Sequence, residues 1–159
     1  ADMAGPPMVS VVEQVVETSI NLAGLQALVV DDRLENLNAI SEQLRHWGLN
    51  VCQALDNAEF LQQVESQFFD LIVMDYQLHD EFNGLQLLQR YAAESADDFL
   101  GIIATAEQDP RVHQAILAAG FVFLPKPLDA GLLRQQIADY LGASGVQAER
   151  ASKSSGSSS

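Results

Sequence analysis

The chain has 159 residues, 48% of them apolar, which is enough to bury one sizeable core and gives no reason to expect two. Its 22 acids against 8 bases leave a formal charge of −14, without the basic footprint that direct binding to nucleic acid or to an anionic membrane demands. No apolar stretch approaches bilayer-spanning length and the start lacks the basic-then-apolar pattern of a signal peptide, so a cytoplasmic protein without membrane contact is expected.

In chain order, residues 1–23 open with Gly5-Pro6-Pro7. They then place Met8, Val12, Val15, Val16 and Ile20 at roughly helical spacing, which predicts a linker or an amphipathic helix. Such a stripe is expected to pack on the rest of the chain or to pair with a second copy as a homodimer. Residues 24–143 hold the globular pattern, and residues 144–159 end in a Ser-rich run that predicts a flexible tail.

Within the central region strand and helix patterns alternate five times. Apolar runs predict strands at Gln26–Asp31, Asn50–Ala54, Asp70–Asp75, Leu100–Thr105 and Phe121–Leu124. Between and after them, periods of three and four predict helices. The first spans about Glu35–Trp47 with Gly48 as its stop, and the second follows the cap candidates Asp56 and Asn57. The third begins after Asn83-Gly84, the fourth spans Asp109-Pro110 to about Ala119, and the fifth about Asp129–Leu141. Cys52, the sole cysteine, sits in the second strand and is expected to be a buried structural thiol. This rhythm implies right-handed crossovers and an α/β fold, a flavodoxin-like doubly wound five-stranded parallel sheet of order 2-1-3-4-5 with five flanking helices.

Ligand sites in such sheets lie outside the carboxyl ends of the strands, at the switch point between strands one and three. Those strands run into Asp31-Asp32 and into Asp75, and the fifth runs through Pro125 into Lys126. Three carboxylates and one ammonium are thereby brought to one edge. Crowded carboxylates repel unless a cation joins them or one stays protonated. An oxygen-only set suits a hard divalent cation such as Mg²⁺, whereas His46, His79 and His113 lack the mutual spacing of a zinc site. Asp75, on the central strand, is the natural nucleophile for a phosphoryl group, with Lys126 and the Thr105 hydroxyl able to hold phosphate oxygens. Taken singly, each residue has a plainer reading. Asp31 or Asp32 can cap a helix, Thr105 can cap the fourth helix, Lys126 can point into solvent, and His79, four residues beyond Asp75 in the loop over the site where it could gate access, can be an exposed loop histidine.

Together the motifs resemble the receiver domain of bacterial two-component response regulators. The matching features are Val29-Val30-Asp31-Asp32, Val73-Met74-Asp75, Ala104-Thr105-Ala106 and Pro125-Lys126-Pro127, in that order. The resemblance covers roughly Leu25 to Leu141. It implies that Asp75 accepts a phosphoryl group from a histidine kinase or a phosphotransfer protein. It also implies that Asp31, Asp32, Asp75 and the backbone carbonyl of Gln77 hold Mg²⁺, that Thr105 and Lys126 bind phosphoryl oxygens, and that Lys126–Pro127 is cis. The chain would then be a signalling module rather than an enzyme. The usual switch tyrosine is Phe123 here, which has no hydroxyl to bond a loop carbonyl. The loop after Asp75 lacks the common Met-Pro and resembles those of receivers attached to hybrid sensor kinases. Two other classes compete: a receiver-like docking module that does not use phosphorylation, and an aspartate-nucleophile phosphatase or flavin binder. The phosphatase needs a second acid at position 77, which is Gln. The flavin site needs a phosphate loop where Asp31-Asp32-Arg33-Leu34 stands.

Overall fold

A computed structural model of the chain describes residues 22–144, with side chains to 142. The expected N-terminal helix, the homodimer built on it and the Ser-rich tail lie outside the described residues. The chain divides into two compact units, Ala23–Gln136 and a second made of Ala1–Leu22 with Ile137–Ser159. The sheet and the candidate site belong to the first.

The elements follow as β1 (Gln26–Val30), α1 (Leu34–His46), β2 (Asn50–Ala54), α2 (Asn57–Ser66), β3 (Leu71–Asp75), α3 (Gly84–Glu94), β4 (Leu100–Thr105), α4 (Pro110–Ala118), β5 (Val122–Pro125) and α5 (Ala130–Ser144). All strand pairs are parallel and the sheet order is β2-β1-β3-β4-β5, as the alternating pattern predicts. The α1 and α4 helices stop at glycines in the left-handed region, Gly48 (φ 98°) and Gly120 (φ 91°), where a side chain would be strained. Strand β5 begins one residue later than its apolar run, because the Phe121 N–H closes α4 by donating to the Ile116 carbonyl.

Burial follows position in the sheet. Every residue of β3 and β4 is buried, whereas the outer strand β2 is half-buried along most of its length. Cys52 is accordingly only half-buried, and its Sγ accepts a bond from Gln67 Nε2 at 3.3 Å. The expectation of a fully buried thiol fails because β2 is an edge strand with one neighbour. Alternation sends Leu28, Val30, Ile72, Met74 and Ile103 to the same core as Phe60 of α2, Leu87 and Leu88 of α3 and Ile116 of α4. Phe60, Tyr91, Phe99 and Phe121 form a run of edge-to-face and tilted ring contacts there. Fixing the central strands from both sides fixes where their carboxyl ends stop, and so where the acidic residues sit.

Candidate functional site

Register places the acids. Val30 of β1 pairs with Met74 of β3, so the next residues, Asp31 and Asp75, emerge side by side. Both are nearly sealed from solvent, at 1% and 4% exposure, while Asp32 is half-buried. One carboxylate oxygen from each of Asp31, Asp32 and Asp75 lies within 4.8 Å of the others. Lys126 reaches in from the turn after β5, with Nζ 2.7 Å from Asp75 Oδ1 and 3.9 Å from Asp31 Oδ2. Its N–H donates to the Thr105 carbonyl at 3.0 Å, tying that turn to the end of β4. The Lys126–Pro127 bond is cis.

Charge is unbalanced in this space, with three carboxylates against one ammonium. Burial holds the Asp31 and Asp75 carboxyls above the usual carboxylate range, and neighbouring carboxylates add to the effect. The Arg33 N–H and Lys126 oppose the rise at Asp31, while the hydrogen bond and charge of Lys126 oppose it at Asp75. All-oxygen donors that are buried and short of one cation fit a hard divalent ion such as Mg²⁺.

The plainer readings of these side chains do not describe what they do. Helix α1 is capped at Arg33 without a side-chain bond, while Asp31 Oδ1 accepts the Arg33 N–H at 2.9 Å. The α4 cap is Asp109, so Thr105 is free of that duty, and Thr105 Oγ1 accepts the Glu107 N–H at 2.8 Å. Lys126 faces the acids instead of solvent. The Gln77 N–H lies 3.4 Å from Asp75 Oδ1. Phe123 is half-buried on β5.

Three features escaped the sequence reading. His79 is exposed, as a loop histidine should be, yet Nδ1 lies 2.9 Å from Asp32 Oδ2, and a left-handed backbone (φ 53°) sets it there. Asn57 clamps the loop after Asp75, accepting the Phe82 N–H at 2.8 Å and donating Nδ2 to the Phe82 carbonyl at 3.1 Å. The only hint was the pair Asp56-Asn57, two cap-forming residues where one suffices; Asp56 takes the cap through the Glu59 N–H. Gly84 packs so close to β3 that a Cβ there would collide with the Asp75 carbonyl oxygen and the Met74 side chain.

Residues 27–138 match the family model described as the response regulator receiver domain. The chain belongs to this family: it is a receiver domain of the two-component response regulators. It is 30% identical over 105 residues to the transcriptional regulatory protein ZraR of Escherichia coli K12, a match covering 66% of this chain and 24% of that protein. Among solved structures, a CheY-like response regulator receiver domain protein from Methanospirillum hungatei JF-1 superposes with a TM-score of 0.68 at 24% identity, covering 80% of this chain and 99% of that one. The CheX–CheY–BeF3–Mg complex from Borrelia burgdorferi gives a TM-score of 0.68 at 19% identity, covering 75% and 90%. The chain spans about a quarter of the length of curated relatives such as ZraR and PilR. No helix among the described residues is long and apolar enough to cross a membrane.

Proposed function

We propose that Asp75 is the phosphoacceptor of this receiver domain, taking a phosphoryl group from the phosphohistidine of a histidine kinase or phosphotransfer protein. The observation that carries the reading is the convergence of Lys126 Nζ on Asp75 Oδ1 at 2.7 Å within a cluster of three carboxylates. Asp31, Asp32, Asp75 and the Gln77 carbonyl would hold Mg²⁺. When bound, the ion offsets the repulsion between the carboxylates and an incoming phosphoryl group. A carboxylate oxygen of Asp75 forms the bond to phosphorus while the phosphorus–nitrogen bond of the donor breaks, and the departing imidazole nitrogen keeps the electron pair. Lys126 shifts its ammonium from the carboxylate to a phosphoryl oxygen, a move of one acceptor for another at the same place. Thr105, buried at the end of β4, donates a hydrogen bond from its hydroxyl to a second oxygen. The signal leaves as a change in packing around Thr105 and Phe123 rather than as a released product.

Acetyl phosphate with Mg²⁺ should add one phosphoryl group to the wild-type chain and none to Asp75→Asn, read by intact mass. The adduct should be lost in alkali, as an acyl phosphate is. Equal labelling of the two proteins rejects Asp75 as acceptor. Labelling of neither favours a receiver that docks its partner without phosphorylation.

A further inference from the structure

Beside the charged cluster, the β4–α4 turn holds a chain of uncharged contacts that the phosphoacceptor chemistry leaves unexplained. Glu107 is gripped at both of its peptide groups. Its N–H donates to Thr105 Oγ1 at 2.8 Å, and its carbonyl oxygen lies 2.7 Å from His113 Nε2. A carbonyl only accepts, so the proton of this bond sits on Nε2 and the tautomer of His113 is fixed by its partner. The same imidazole lies flat against Phe123, with ring centroids 4.0 Å apart and planes within 14°. Thr105, Glu107, His113 and Phe123 therefore form one continuous path from the carboxyl end of β4 to the outer strand β5.

We infer that His113 supplies the loop-carbonyl bond that Phe123, without a hydroxyl, cannot make, and that it is the positioning residue linking Thr105 to Phe123. The inference rests on the phosphoacceptor reading and names how that site is read elsewhere in the domain. A Thr105 hydroxyl that turns to donate to a phosphoryl oxygen on Asp75 carries the Glu107 N–H with it or drops it. In either case the Glu107 peptide moves, and its carbonyl moves relative to His113. The imidazole is poorly placed to follow. His113 lies in the first turn of α4, where its N–H donates to the Asp109 carbonyl at 3.3 Å, and the Asp109 side chain caps the helix at the Arg111 N–H at 2.9 Å. The bond to Glu107 then opens and the ring loses its seat on Phe123. A single hydrogen bond thus couples a rotation at Thr105 to the stacking of a half-buried aromatic ring.

The test uses the isotope-labelled 159-residue chain with beryllofluoride and Mg²⁺ as the phosphoryl probe, followed by NMR. In the wild type, His113 should show the Nε2–H tautomer. Adding the probe should shift the Tyr76 and Gln77 amides, the Glu107 amide and the Phe123 ring in one titration. His113→Phe keeps a ring for the stack and removes the donor. It should leave the Tyr76 and Gln77 response intact and lose the response of Phe123, and His113→Gln, which restores an N–H, should recover part of it. A Phe123 response in His113→Phe equal to wild type overturns the inference. An Nδ1–H tautomer in the wild type does so as well, and needs no variant to fold. Silence of Tyr76 and Gln77 in the wild type overturns the phosphoacceptor reading and this inference with it, a result read beside Asp75 and not at His113.

Discussion

The two halves of the sheet's carboxyl edge solve opposite problems. Where β1 and β3 end, three carboxylates crowd a buried space with one ammonium among them. In the β4–α4 turn and beside β5, Lys126 apart, the contacts are neutral and matched. Thr105 and Glu107 bond to each other, Glu107 bonds to His113, and His113 stacks on Phe123. The first half is electrostatically incomplete and gains from a cation or a charge-bearing ligand. The second half is complete, and it responds only when one of its bonds is drawn away. A site that binds and a region that reports have different physical requirements, and here they lie on neighbouring strands.

Removing the one cation strikes the incomplete half hardest. Lys126→Met should slow labelling by acetyl phosphate on the order of a hundredfold, the scale of losing one preorganised charge at a reacting centre. It should also lower stability by about 2 kcal/mol in urea melts, since Asp75, 4% exposed, is left buried without its partner. Unchanged labelling would mean that the charge balance of this half has nothing to do with reactivity.

Asp31→Asn tests the same imbalance with the opposite sign. The Asp31 carboxyl is raised above its ordinary value of 3.8, so between 3.8 and the raised value the folded state holds a proton that the unfolded chain has released. Stability therefore falls as pH rises from 3.8 through the raised value, and the loss persists at neutral pH. Without divalent cation, Asp31→Asn should melt higher at pH 7. That gain should vanish as pH drops below 3.8. Excess Mg²⁺ should reverse the ranking by stabilising the wild type through binding. A variant less stable than wild type in chelator at neutral pH would show that the crowding costs nothing.

The complete half should tolerate more. Thr105→Val leaves the Glu107 N–H without its acceptor, at about 1 kcal/mol. Acetyl phosphate should still label Asp75, on the order of tenfold more slowly. A stability loss as large as that of Lys126→Met would erase the distinction between the halves.

Much of this was legible in the sequence because it follows local periodicity. Runs such as Leu71–Met74 can hardly be anything but a central strand, and the residue that ends each run is placed by the sheet itself. Hence Asp31, Asp75, Thr105 and Lys126 were nameable as neighbours before any geometry. Edge effects were less legible: Cys52 reads as buried from its apolar neighbours, but a strand with one flank open leaves it half-exposed. Bonds from side chains to main-chain atoms left little trace. His113 bonds Glu107 through a carbonyl that every residue carries, so no pattern of side chains announces it, and the bonds of Asn57 to Phe82 were hinted at only by the doubled cap candidate Asp56-Asn57. His79 was placed over the site by its position in the loop, yet its contact with Asp32 depends on a left-handed φ that few non-glycine residues adopt and that no local sequence pattern announces.

The Asn57 clamp has a consequence for timing. Its amide meets both main-chain groups of Phe82 as a neighbouring strand would, and the Asn57 N–H also donates to the Asp80 carboxylate at 3.0 Å. The loop roofing the acids is thereby fastened to the opening turn of α2, a different part of the chain. Its excursions are governed by how often that turn frays, so the Phe82 amide should exchange with solvent far more slowly than a surface loop allows. Ligand entry that needs this roof to lift would inherit the same clock.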